Sequence, residues 1–291
     1  MNIPVDSERL RQDVQILTGM DPPRNAQNIT SLDRSAEYIQ KEFTQAGGRV
    51  AIQRFIQDAK EYKNVICSFG PEVGERIVVG AHYDVQGHQP GADDNASGVA
   101  GLLELSRLIK ALKTELRLRI DLVAFTLEEG QFFRHPLARH YGSYIHAKSL
   151  AKARVSVRAM LCLEMIGYFS DRPNSQKFPL FFLKWFYPDR GNFILVVGKW
   201  KQGSLVKKVK MTLAAQSQVP VESSATTSLI PGVSFSDHQS YWQFGYPAVM
   251  ITDSAFYRNK NYHKPSDTAD TLDYDRMAEV VKGLYWTIIQ I

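Results

Sequence analysis

Histidines and carboxylates stand at the ends of apolar runs throughout this 291-residue chain. His82 and Asp84 close RIVVGAHYD, and Asp93 and Asp94 follow in the loop PGADDNASG, just ahead of a helical pattern. Glu128 and Glu129 end LVAFTLEEG, Glu164 ends AMLCLE, and His263 lies in NYHKPSDT after AVMITD. Each has an ordinary explanation by itself, as a polar loop histidine, an N-capping aspartate or a solvated glutamate. Their coincidence is what asks for chemistry, because a packed fold needs no ionisable groups there. In open α/β sheets, ligands bind at the carboxyl ends of the strands. Carboxylates crowded at that edge repel one another unless a cation sits among them. Two imidazoles with three carboxylates suit two zinc ions, one aspartate serving both metals. Asp84, two residues beyond His82, is suited to orient that imidazole.

The elements that must position these groups are legible from periodicity. Helical spacing covers 7–18 and 32–46, with Thr30 and Ser31 as an N-cap and Gly47-Gly48 as the stop. Strand-like runs cover 50–56, 64–69, 76–83 and 118–126, with a helix at 97–112 between the last two. Further strands are expected at 157–163, 193–197 and 247–252, and helices near 138–150, 204–216, 237–244 and 273–290. Strands alternating with helices predict one α/β domain over residues 1–291, with a central, mostly parallel twisted sheet covered on both faces. The early pair 50–56 and 64–69 reads as an antiparallel edge. The aromatic stretch 168–193 is either a cover over the core or the wall of a substrate pocket.

Composition narrows the class. With 44% hydrophobic and 22% charged residues, the chain has the make-up of a globular protein. No window approaches the ~18 consecutive apolar residues needed to cross a bilayer, and the first twenty residues lack a signal-peptide core, so a cytoplasmic protein without a membrane partner is expected. The net charge of +5 is not gathered into a stripe, which argues against a nucleic-acid partner. Cys67 and Cys162 sit in apolar runs, as buried free thiols would. His-Glu-x-x-His, Gly-x-Ser-x-Gly, phosphate-loop and dinucleotide signatures are all missing.

In this order, VVGAHYD, PGADDNASG, FTLEEG, LEMIG, SDHQSYWQFGYPAVMITD and NYHKPSDT resemble zinc metallopeptidase family 28. That family comprises two-zinc aminopeptidases, with glutaminyl cyclases and glutamate carboxypeptidases as relatives. The resemblance spans essentially the whole chain and implies a zinc-dependent exopeptidase that takes peptides with a free N-terminus. It places His82, Asp93 and Glu164 on one zinc and Asp93, Glu129 and His263 on the other, with Asp93 bridging. Glu128 would be the general base, Asp84 the acid orienting His82, and the Asp93–Asp94 peptide would be cis. Where some members carry a tyrosine, three residues before Ser236, this chain has Val233, which leaves Tyr262, His238 and Arg258 as candidate oxyanion donors.

The chemistry follows from that ligand set. Two zincs lower the pKa of a shared water toward ~7, and a carboxylate that is not a ligand can carry its proton to the leaving amine. Aminopeptidase action is the expectation. Glutaminyl cyclases, with one zinc, usually lose the first histidine, which this chain keeps as His82. A non-catalytic module would have shed ligands or base. A carboxypeptidase would need Arg258 in the pocket.

Overall fold

The computed structural model describes residues 4–112, 115–129 and 141–291. Among the described residues eight strands form one sheet in the order β1-β2-β4-β3-β5-β8-β6-β7. They are β1 (Arg49–Gln57), β2 (Lys60–Phe69), β3 (Arg76–His82), β4 (Arg119–Phe125), β5 (Val157–Glu164), β6 (Ile194–Lys199), β7 (Val221–Thr226) and β8 (Ala248–Thr252). The four central strands β4, β3, β5 and β8 run parallel, so their carboxyl ends share one edge. The early hairpin is the expected antiparallel margin: β1 pairs β2, and β2 pairs β4, both antiparallel. β6 runs antiparallel to β8, which makes the sheet mixed.

Strand alternation sends side chains to two separate cores. Val79, Leu161 and Ile251 face one side, under helices α1 (Ser7–Thr18), α2 (Ile29–Gln45), α3 (Gly98–Lys110), α5 (Gly203–Ala214) and α7 (Tyr274–Gln290). Val78, Met160 and Met250 face the other, under α4 (Gly142–Lys152) and α6 (His238–Gln243). The central strands are therefore apolar runs without polar alternation, as strands buried on both faces must be.

Three sequence expectations need amendment. Helix α2 begins at Ile29, with Asn28 rather than Thr30 or Ser31 as its N-cap. Of the helix expected at 138–150, residues 138–140 lie outside the described residues, and α4 begins at Gly142. Strand β7, VESSAT, has no expected counterpart, because a half-buried edge strand of Ser and Thr carries no hydrophobic period.

Cys67 and Cys162 are buried free thiols. Burial pushes the Cys67 thiol up to about 12. They lie on β2 and β5, three strand steps apart in the sheet order. At ~4.8 Å per step that is far beyond the ~7 Å limit for a disulfide. Among the described residues no helix is long and apolar enough to cross a membrane.

Candidate metal centre

The loops leaving β3, β4, β5 and β8 converge at the carboxyl edge. His82 ends β3 and is wholly buried. Its Nε2 lies 3.3 Å from Asp94 Oδ1, 3.4 Å from Glu164 Oε2 and 3.9 Å from Glu128 Oε2. His263 approaches from the opposite side, with Nε2 at 3.1 Å from Asp94 Oδ2 and 3.0 Å from Glu129 Oε1. The two oxygens of Asp94 thus face two different imidazoles. Donor atoms of His82, Glu128 and Glu164 lie within 4.8 Å of one another, as do those of His82, Asp94 and Glu129. These are two candidate metal-binding clusters sharing one histidine.

Asp93 is not part of this group. Its carboxylate accepts from Gly167 N at 3.0 Å and from Asn259 Nδ2 at 2.7 Å, on the far side of the loop. Burial and the facing Asp253 push its carboxyl well above the ordinary range. The carboxylate that faces both imidazoles is thus Asp94, one residue beyond the expected bridge Asp93, and the cis peptide is Asp94–Asn95 rather than Asp93–Asp94. The reason is local. The side chains of Asp93, Asn95 and Ser97 all serve the loop after β5: Asn95 Oδ1 accepts from Met165 N, Ser97 Oγ from Ile166 N, and Asp93 from Gly167 N. Asp94, between them, points the other way. Asp267 fixes the turn by accepting from the main-chain N–H groups of Asp93 and Asp94 at 3.0 and 3.1 Å. Gly91, at φ 64°, has no room for a side chain: a Cβ there would stand 2.3 Å from the Asp94 carbonyl oxygen.

Asp84 has a different task from the one expected. The His82 ring nitrogen Nδ1 meets the main-chain carbonyl of Asp84 at 3.1 Å, whereas the nearest Asp84 carboxylate oxygen is 3.7 Å away. That carboxylate instead accepts from Glu128 N and Glu129 N, at 3.1 and 2.9 Å. It holds the turn that splits the two glutamates, one toward each histidine. Support that the sequence did not disclose comes from Arg24, fully buried, which donates to the carbonyls of Tyr83, Leu17, Pro90 and Gly91 and so pins the loop between β3 and Asp93. Ser236, in the motif SDHQSYWQ, donates its Oγ–H to Glu164 Oε2 at 2.6 Å. Asx and Ser residues spaced by two in DDNAS were the available signal for the loop clamp.

The electrostatics ask for a cation. Burial opposes the imidazolium of His82, but Glu164 and Glu128 overcome it and raise its pKa well above the ordinary value. Burial likewise opposes the His263 charge, and Asp94 and Glu129 bring it up to about 10. Asp94 is held below the usual carboxylate range, against burial, by His263 and His82. Burial pushes Glu128 well above its ordinary value, reinforced by Glu129 and Glu164, and burial with Asp94 raises Glu129 to about 8. Four carboxylates face two imidazoles, and His82 Nε2 and Asp94 Oδ1 are buried without a hydrogen-bond partner. Orphaned lone pairs of this kind, nitrogen beside carboxylate oxygen, fit divalent metal ions.

A cavity opens beside Glu164 and Tyr262. Phe178, Pro179, Leu183, Tyr187 and Phe193 form one wall, so the aromatic stretch 168–193 is in part a pocket wall. Of the three candidate oxyanion donors, Tyr262 alone lines this cavity. His238 is buried with Nε2 at 2.8 Å from the Val233 carbonyl. Arg258 is buried against Gln176 Oε1 and the Phe193 carbonyl and is not among the residues lining this cavity.

Residues 64–286 match the model of peptidase family M28. The chain belongs to that family. YfbL of Escherichia coli K12 is 46% identical over 285 residues, covering 95% of this chain and 86% of YfbL. A probable aminopeptidase of Saccharomyces cerevisiae, YDR415C, is 27% identical over 80% of this chain, which spans only 58% of that protein's length. Among solved structures, the LapA aminopeptidase of Legionella pneumophila superposes with a TM-score of 0.78 at 22% identity, covering 98% of this chain and 71% of LapA. A Bacteroides thetaiotaomicron glutaminyl cyclase superposes with a TM-score of 0.76 at 19% identity over the full length of both chains. These structural likenesses establish the M28 fold, and the fold is common to hydrolases and cyclases. Family and candidate metal-binding clusters together are consistent with a metal-dependent peptidase.

Proposed function

We propose that this M28 protein is a two-zinc aminopeptidase that removes N-terminal residues from peptides. The observation that carries the reading is Asp94, whose two oxygens face His82 at 3.3 Å and His263 at 3.1 Å. In this reading His82, Asp94 and Glu164 hold one metal, and Asp94, Glu129 and His263 hold the other. A bound pair of divalent ions lowers the pKa of water and polarises a carbonyl oxygen. Imidazole and carboxylate donors without thiolate suit zinc.

The chain's own residues supply the rest. Glu128 is a general base: burial strengthens its hold on a proton, so it can accept one from water and then deliver it to the nitrogen of the leaving amine as the C–N bond breaks. Asp84, through the amides of Glu128 and Glu129, keeps base and ligand on opposite sides of the turn. Tyr262 is the oxyanion donor. Burial and the surrounding carboxylates raise its pKa, so its phenol stays protonated and able to donate. A reducing, cytoplasmic setting fits two free thiols held apart in the sheet.

The test is metal content measured on protein that is also offered aminoacyl and N-terminal glutaminyl substrates. Two metals per chain with aminoacyl hydrolysis, abolished by a chelator and restored by zinc, is the expected result. One metal per chain with ring closure of N-terminal glutamine makes the protein a glutaminyl cyclase and overturns the proposal.

A further inference from the structure

Residues 177–190, KFPLFFLKWFYPDR, are apolar on two sides at once. Pro179, Leu183 and Tyr187, four apart, face the cavity beside the metal centre. The residues between them do not line it. Phe181, Trp185 and Phe186 are 74%, 68% and 75% exposed, and Leu180 and Phe182 are exposed beside them. A 3-10 turn over Phe181–Trp185 sets the Phe181 ring edge-on to Phe182 and Trp185, with centroids 6.0 and 5.7 Å apart. Tyr187 fastens the segment to β7, donating its phenol O–H to the Ser223 carbonyl at 3.0 Å. At ~200 Å² per aromatic side chain, the four outward rings present roughly 500 Å² of apolar surface. Single exposed apolar residues are ordinary, but a joined patch of that size marks a contact surface.

Charge around the patch narrows what covers it. The same segment carries Lys177, Lys184 and Arg190, all exposed, against one acid, Asp189. The Asp189 carboxylate accepts from Asn174 N at 3.1 Å. Asp171, on which the Arg190 charge also acts, is bonded by Arg276 at 2.6 Å. Lys184 holds its ammonium 5.9 Å from the Trp185 ring centre, beside the patch. Rings that reach the acyl boundary, with basic side chains held at the level of the phosphates, match the interface of an anionic bilayer. A substrate in the cavity leaves this outward face bare, because its residues lie outside the lining. A second copy, paired by a two-fold axis through the patch, would bring Lys184 and Arg190 of both chains into one seam. Docking on a surface needs no spanning helix.

We propose that the outward face of residues 180–186 docks this protein on an anionic phospholipid surface, through insertion of Phe181, Trp185 and Phe186 and attraction of Lys184 and Arg190 to the headgroups. Apolar insertion and basic attraction are two separate signals, the combination that stable surface anchoring takes. The cavity whose wall this segment forms is then held beside the bilayer.

Co-sedimentation of the full chain with vesicles tests this, using phosphatidylcholine alone and phosphatidylcholine mixed in equal parts with phosphatidylglycerol. At low salt each basic residue near the surface favours the anionic vesicles by about fivefold, so the three together should favour them by roughly 100-fold. Lys184→Gln/Arg190→Gln should remove about 25-fold of that preference. Phe181→Ser/Trp185→Ser should weaken binding to both vesicle types by more than about tenfold. All four positions are exposed, so both double variants should keep the thermal midpoint of the wild type. Equal partition of the wild type onto the two vesicle types overturns the inference, as does an aromatic variant that sediments like the wild type. A dimer in sedimentation velocity that Phe181→Ser/Trp185→Ser abolishes, with no vesicle binding by the wild type, gives the face to a second copy and overturns it too. Binding is read without catalysis, so each result stands apart from the aminopeptidase reading.

Discussion

Glu128→Gln is expected to keep both metal positions filled while kcat falls by roughly 10²–10⁴-fold, the contribution of a positioned general base. The amide has the shape of the carboxylate and cannot take the proton. KM should move little, because ground-state binding relies on the cavity and the ligand set. Glu129→Ala should behave differently. Glu129 lies 3.0 Å from His263 Nε2, and its removal strips a donor from the side of the site that His263 serves. That variant should lose metal as well as activity. Zinc content and kcat measured on the same two preparations separate the roles. Metal loss in Glu128→Gln with full occupancy in Glu129→Ala would reverse them.

The second large effect distinguishes two adjacent aspartates. Asp94→Ala removes the carboxylate that both histidines face, and should leave the chain unable to hold a metal pair, with activity at background. Asp93→Asn should keep two metals. Burial and the facing Asp253 disfavour a charge on Asp93, which accepts from Gly167 and Asn259 on the side of the loop away from the two histidines, so a neutral amide is a close substitute. Its cost should appear as lower thermal stability and at most about 10–100-fold in metal affinity, as for groups that support ligands without being ligands. Metal titration of the two variants checks this. Equal loss of metal in both would make the outward orientation of Asp93 irrelevant to binding.

That pair also shows where sequence reasoning reached its end. The central strands were plain because burial on both faces makes them uninterrupted apolar runs, and their carboxyl ends then located His82, Glu128, Glu129 and Glu164. The aspartate that faces both imidazoles is Asp94, one residue beyond the one the motif resemblance implies. Two identical side chains in succession point to opposite sides, and only the neighbours they bond to decide which faces the site. Asn95 and Ser97 bond the loop after β5, and Asp93 joins them there. Spacing pairs Asp84 with His82, yet its carboxylate serves the amides of Glu128 and Glu129, a contact spanning 44 and 45 residues that no spacing rule contains. Arg24 was invisible for a similar reason: a fully buried guanidinium bonded to main-chain carbonyls leaves no motif. Strand β7 escaped because its Ser and Thr side chains carry no apolar period, although they close the outer end of the cavity.

The most direct measurement is anomalous diffraction at the zinc absorption edge from crystals of the zinc-loaded protein. The expected result is two peaks, one on either side of the Asp94 carboxylate: the first against His82 and Glu164, the second against His263 and Glu129. A single peak that leaves His82 without a metal, or peaks beside Asp93, would contradict it.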